Sequence, residues 1–333
     1  MESLKIAIPM AGYGTRLRPH TWNKPKPLVP IAGKTVLDYV LEQFCTLPES
    51  IKKEYIFIVG PNQLEQIRLY AEKEYPELTI HFAVQETMRG QSDALYAARE
   101  YLDGPLLMTF SDTLIKVDLS DIDQVTQDGL AWVKAVPDPR RFGVAVIDDQ
   151  KRVKQLIEKP DDISNNLAVV GFYYFKDGKT LINAIERQVE LKKEMKNEYF
   201  LADAINIMLN NGANFHVREV NAWMDAGTVD AVLETNNLLL SEGESTSPEK
   251  FPHARIIPPV YIAESAQIDD AVIGPYVSIG ENCVIERAVI QDTIISNGTE
   301  IKDVVCRHSL IGEHVIWHGQ ALAANLGDSV WMK

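Results

Sequence analysis

Residues 11–30, AGYGTRLRPHTWNKPKPLVP, place a glycine turn, two arginines and two lysines directly after an apolar run. That combination suits phosphate groups. Gly12 and Gly14 let the backbone approach a ligand closely, the loop offers N–H donors, and cations follow within a few residues. Charge bookkeeping points the same way: the 333-residue chain carries a formal −14, yet residues 1–34 hold six bases (Lys5, Arg16, Arg18, Lys24, Lys26, Lys34) against one acid, Glu2. An acidic protein with one basic segment is suited to a small polyanion held locally, and it lacks the broad basic face that nucleic acid requires. A second candidate lies at Ser111, Asp112 and Thr113, which follow the apolar run 106–110. A carboxylate at the carboxyl end of a strand can hold Mg²⁺ or simply cap a turn.

Other phosphate loops fit poorly. A dinucleotide fingerprint needs a third glycine, and Leu17 stands at that place; Gly33, Lys34 and Thr35 imitate the tail of a Walker loop, but Leu28 occupies the position of its first glycine. Residues 32–35 read instead as a turn capping an amphipathic helix over 36–46, with Val36, Leu37, Val40, Leu41 and Phe44 as its buried stripe.

The elements that must position these groups follow from periodicity. Residues 5–10 read as a short buried strand leading into the glycine turn. Further strand-like runs at 55–59, 106–110, 142–147 and 168–175 alternate with amphipathic helices at 64–74, 92–102 and 201–209. This alternation predicts an α/β domain with a mixed, mostly parallel, Rossmann-like sheet and ligands at the carboxyl ends of its strands. The polar run SEGESTSPEK at 241–250 reads as a linker, giving a domain at 1–240, a linker at 241–255 and a second domain at 256–333. In that second part Ile262, Ile268, Ile273, Ile279, Ile285, Ile290, Ile295, Ile301 and Ile311 recur every five or six residues, with Cys306 in the gap before the last. Such a period predicts a parallel β-helix whose stacked edges suit homo-oligomer contacts.

GYGTRLRP followed by KPKPLVP resembles the signature of the sugar-1-phosphate nucleotidyltransferases, and further motifs extend the likeness over most of the first 240 residues. The mixed five- and six-residue steps resemble the left-handed β-helix tails of the long glucose-1-phosphate thymidylyltransferases, as does the closing NLGDSVWMK. The resemblance implies that Ala11, Gly12, Gly14, Thr15 and Arg16 hold a nucleoside triphosphate and that Arg16 and Lys26 neutralise the departing pyrophosphate. It also implies Mg²⁺ shared by Asp112 and by Asp225 of AWMDAGT, and base recognition by Gln85 and Gly90 of QETMRGQSDAL. Relatives usually follow that glycine with Thr-Ala or Leu-Ala, where this chain has Gln91 and Ser92. For the sugar 1-phosphate, Gly143 of RRFGVAVI, Glu158 and Lys159 of LIEKP, and Val170 and Gly171 of VVGFYYF match in order and spacing. Without the resemblance, a Glu-Lys pair before proline is an ordinary exposed turn; Asp93 reads as a residue near a helix start, with contact to the ribose as the alternative.

The implied reaction joins a sugar 1-phosphate, expected to be glucose 1-phosphate, to the nucleotidyl group of dTTP or UTP. A mannose-1-phosphate guanylyltransferase, a noncatalytic regulatory relative and a β-helix acyltransferase using His308, His314 or His318 stay open as alternatives. Composition sets the remaining expectations. No apolar run approaches a membrane span, and residues 1–12 lack a signal-peptide layout, which predicts a cytoplasmic protein. Cys45, Cys283 and Cys306 are spaced for neither a disulfide framework nor zinc.

Overall fold

The structure, a computed structural model, describes residues 1–195, 197–243 and 245–320; the closing NLGDSVWMK lies outside them. The chain forms two compact units, one of Met1–Val29 with Thr35–Thr228, the other of Pro30–Lys34 with the chain from Val229 onward.

In the first unit, β1 (Ser3–Pro9) buries Leu4, Ile6, Ala7 and Ile8 completely and ends at the glycine turn. Helix α1 (Val36–Glu42) starts at Thr35, whose side chain accepts from the Asp38 N–H while Asp38 accepts from the Thr35 N–H, a reciprocal cap. The helix is shorter than the 36–46 stripe, because the chain turns after Glu42 and Phe44 packs from the turn. Strand β2 (Lys52–Val59), helix α2 (Leu64–Glu74), strand β3 (Ile80–Val84), helix α3 (Gln91–Ala97) and strand β4 (Leu106–Thr109) complete the alternating half. Here β4, β1, β2 and β3 are parallel neighbours.

The other half is antiparallel except for its last strand, which pairs in parallel, so the nine-stranded sheet is mixed. It contains β5 (Thr113–Ile115), β6 (Gly129–Ala135), β7 (Gly143–Ile147), β8 (Val153–Glu158) and β9 (Leu167–Phe175), of which β5 stands apart from the main sheet. Strand β9 runs antiparallel to β4, β6 and β7, and buries nearly every residue on both faces. Trp132 meets Phe172 edge-to-face at 4.9 Å, and Phe44 stacks on Phe172 at 5.8 Å, which seals one side of the sheet. Helices α4 (Gly178–Glu190) and α5 (Leu201–Asn210) contribute Leu181, Ile185, Leu201 and Ile205 to the apolar cluster on which β4, β6 and β9 also pack. Strand β10 (Phe215–Glu219) pairs with β6, and β11 (Trp223–Asp225) pairs with β5 so that Asp225 faces Thr113.

The second unit holds helix α6 (Val229–Glu242) and a parallel β-helix. Three ladders, Ile256-Ile273-Ile290-Cys306, Ile262-Ile279-Ile295-Ile311 and Ile268-Ile285-Ile301-Trp317, give the coil its three sides, and all of these residues are buried except Trp317, which is exposed. Cys306 is buried beneath Ile290, which explains the interruption in the isoleucine series. At one corner the first two turns step six residues, Ile256 to Ile262 and Ile273 to Ile279, around Ile257-Pro258-Pro259 and Gly274-Pro275-Tyr276. The later two step five, and there the strand runs unbroken through the corner as Val289–Ile295 and Val305–Ile311. Asp292 and His308 turn those corners with φ of 47° and 49°, and His308 Nδ1 lies 2.6 Å from Asp292 Oδ2. His308, His314 and His318 lie in this second unit; His308 and His318 are both engaged with carboxylates, the latter with Glu300 at 2.8 Å.

Candidate active site

A cavity of about 580 Å³ opens in the first unit at the carboxyl ends of β1 and β4. Its lining includes the sequence-predicted residues Ala11, Gly12, Gly14, Thr15, Arg16, Lys26, Gln85, Gly90, Asp112, Gly143, Glu158, Val170, Gly171 and Asp225. Lys159 is not among the lining residues. Its backbone is left-handed (φ 46°), and its Nζ lies 4.5 Å over the Phe200 ring and 3.9 Å from Glu158.

The loop after β1 is held by short-range bonds. Gly14 takes φ 58°, a turn that favours glycine, and its carbonyl accepts from the Thr21 hydroxyl at 2.8 Å. A single 3₁₀ turn, Thr15–Leu17, buries Leu17 and leaves Arg16 exposed on the cavity. Lys26 begins a second such turn between Pro25 and Pro27 and donates to Asp112.

Asp112 follows β4, and its place is fixed from below. Gln43, nearly fully buried, accepts from the Ile115 N–H at 3.0 Å and donates to the Thr113 carbonyl at 2.9 Å, tying the end of α1 to β5. The β5–β11 pairing then brings Asp225 beside Asp112, and the Ala226 N–H donates to the Asp112 carbonyl at 3.0 Å. Burial alone would push the Asp112 carboxyl up, but the contacting Lys26 ammonium and the nearby Arg16 outweigh it and hold the group below the ordinary aspartate range. Asp225 moves the other way: burial raises it, and the Asp112 charge raises it further against the opposing pull of Lys26 and Arg16.

Two carboxylates lining this cavity form a hard oxygen donor set. Among the described residues no cluster of three or more protein ligands surrounds one point. The pair fits Mg²⁺, which ordinarily takes one or two carboxylates and fills its remaining positions with phosphate oxygens and water.

Across the cavity, Glu158 ends β8. The Asn206 side chain accepts from the Leu156 N–H at 2.9 Å and donates to the Leu156 carbonyl at 2.8 Å, locking β8 to α5. Glu158 is thereby placed near Glu198 and Asp203, so burial first, and then those two charges, push its carboxyl up despite Lys159. Gly143 sits against it, since a Cβ there would meet Glu158 Oε2 at 3.2 Å. Arg141, Tyr173, Glu198 and Trp223 also line the cavity and were missed by motif reading. Phe142 and Trp223 pack edge-to-face at 4.7 Å and make an aromatic wall. Trp223 stands in AWMDAGT two residues before Asp225, a signal the sequence carries; Glu198 precedes α5 with no motif to mark it.

A cationic loop after the first strand, two carboxylates at neighbouring strand ends and a polar pocket opposite define an α/β enzyme site for phosphorylated substrates. Comparison with known proteins makes the class specific. The Nucleotidyl transferase family model matches residues 7–242, and the GMPPB C-terminal domain model matches residues 256–326. The chain is 31% identical to the low-salt glycan biosynthesis nucleotidyltransferase Agl11 of Haloferax volcanii, over 90% of this chain and 89% of that one. It is 30% identical to a glucose-1-phosphate thymidylyltransferase of Streptomyces antibioticus, over 94% and 93%. A crystal structure of UDP-glucose pyrophosphorylase complexed with UDP-glucose shares the fold, with a TM-score of 0.61 at 21% identity, covering 72% of this chain and 99% of that one. The chain belongs to the nucleotidyl transferase family and has sugar-1-phosphate nucleotidyltransferase activity.

Proposed function

We propose that this enzyme is a glucose-1-phosphate thymidylyltransferase or uridylyltransferase that uses Mg²⁺. The reading is carried by one observation: Arg16, Lys26, Asp112 and Asp225 line one cavity together with Gly143, Glu158 and Gly171. A phosphate oxygen of the sugar 1-phosphate attacks the α-phosphorus of the triphosphate; the new P–O bond forms as the bond to the β-phosphate bridging oxygen breaks, and pyrophosphate leaves. Little covalent work falls to the protein, so positioning and charge neutralisation dominate. Arg16 and Lys26 hold the β- and γ-phosphates and take up the charge that grows on the leaving group. Asp112, kept ionised by Lys26, and Asp225 would hold Mg²⁺, which supplies further neutralisation of the triphosphate when bound. Glu158 accepts from sugar hydroxyls, while the bare backbone at Gly143 and Gly171 admits the ring. Lys159 reaches the sugar phosphate by leaving the Phe200 ring. The thymidylyl and glucosyl assignments draw on the Streptomyces relative's name.

Pyrophosphate release from a panel of nucleoside triphosphates and sugar 1-phosphates tests the assignment. Turnover fastest with dTTP or UTP and glucose 1-phosphate supports it, and a clear preference for GTP with mannose 1-phosphate overturns it. The same preparation, sized by light scattering, should be a homo-oligomer.

A further inference from the structure

We infer that Asp93, a residue outside the phosphate and metal machinery, sets base selectivity by fixing which way round the Gln85 amide points. The inference rests on the nucleotidyltransferase reading of the cavity. Gln85 lines that cavity yet is only 4% exposed. Its Nε2 donates to Asp93 Oδ2 at 2.9 Å and to the Gly90 carbonyl at 3.2 Å. Both partners are acceptors, so the amide cannot turn over without setting oxygen against oxygen. Asp93 is itself committed, because its other oxygen accepts from Arg89 Nη2 at 2.7 Å. Asp93 is largely covered and Arg89 largely exposed, with side-chain exposures of 12% and 58%, so an outer cation neutralises an inner carboxylate that orients a buried amide.

Both amide hydrogens of Gln85 are thus spent on the protein, and Oε1 has no partner among the described residues. An unpaired acceptor on a largely buried side chain, open to a nucleotide cavity, selects a base that brings a ring N–H to it. Uracil and thymine carry that donor at N3 and guanine carries it at N1; cytosine and adenine present a lone pair at the same places. The site therefore takes lactam bases and rejects amino bases, at Gln85, by a rule that Asp93 enforces.

Equilibrium binding of UTP, CTP, GTP and ATP to the full chain, alongside pyrophosphate release with glucose 1-phosphate, tests this in pairs matched for size. UTP should exceed CTP by about 100-fold or more, because two acceptors set face to face in a closed base site discriminate strongly. Asp93→Asn allows the Gln85 amide to turn, and the UTP-to-CTP ratio should fall by about tenfold or more with thermal unfolding little changed. Arg89→Gln should move the ratio in the same direction by less. Wild-type binding of CTP within about threefold of UTP, or a folded Asp93→Asn variant with an unaltered ratio, overturns the inference. Selective binding without pyrophosphate release refutes the proposed reaction and leaves the selection rule standing; no binding of any nucleotide refutes both.

Discussion

Lys26→Met removes the cation that touches Asp112 and, in the proposed reaction, one of the two that meet the leaving pyrophosphate. Breaking a fully buried ion pair costs about 3–5 kcal/mol, but the Asp112 side chain is 26% exposed and Arg16 remains nearby, so we expect a stability loss of about 2 kcal/mol at neutral pH. Its pH dependence follows from the direction of the Asp112 shift. A carboxyl held below its unfolded value stabilises the fold above the unfolded pKa of about 3.9 and loses that contribution as pH falls through the folded value. The gap between wild type and variant should therefore be widest above about pH 5 and close only below about pH 4, as pH falls toward the folded Asp112 value. Catalysis should suffer more. Loss of one preorganised charge at the leaving group costs about 10²–10³-fold in kcat, and the acid limb of kcat/KM should move to higher pH as Asp112 loses its partner. Pyrophosphate release between about pH 5 and 8 and thermal unfolding between about pH 2.5 and 8 measure both, and Lys26→Arg, which keeps charge but not shape, should fall between. A Lys26→Met enzyme with wild-type turnover, or a stability gap of equal size at about pH 2.5 and pH 7, would refute this account of the Lys26–Asp112 pair.

Three further outcomes are expected. Asp38 caps α1 and accepts from the hydroxyls of Tyr70 at 2.8 Å and Tyr75 at 2.6 Å, so Asp38→Ala should cost about 2–3 kcal/mol in chemical denaturation. Gly171 has φ 82° and a Cβ there would meet Phe110 at 2.4 Å; Gly171→Ala should lower stability by about 2–3 kcal/mol and raise the KM for the sugar phosphate, as steady-state kinetics would show. The raised carboxyl of Glu158 should make sugar-phosphate affinity weaken in mildly acidic buffer, and Glu158→Gln should flatten that limb while reducing kcat/KM by about tenfold or more, read from KM between pH 5 and 8.

Local chemistry was legible in the residues themselves. The run of buried strand, glycine turn and proline-stiffened cations in residues 3–28 could be read directly, as could the isoleucine ladders, because both depend on short spacings. Helix α4 was overlooked although Asp177 caps it and Leu181, Ile182 and Ile185 mark its buried face, a signal that periodicity carries. Strand β6, buried on both faces, has little alternation to detect, and β10, although Phe215 and Val217 alternate with more exposed residues, is only five residues long. At the site, motif matching collected the right side chains one at a time. It could not show that Lys26 touches Asp112 or that Gln85 has spent its amide hydrogens on Asp93, since these contacts depend on how separate strands and loops meet.

The β-helix corner with two step lengths bears on how such chains tolerate change. Six-residue and five-residue steps share one edge while every inward ladder stays in register above and below them. A residue gained or lost there is absorbed locally, whereas the same insertion inside a side would turn the next aliphatic outward. That edge is accordingly the place in the coil where a foreign loop could be grafted, and where aligning repeats on a rigid hexad would drift out of phase.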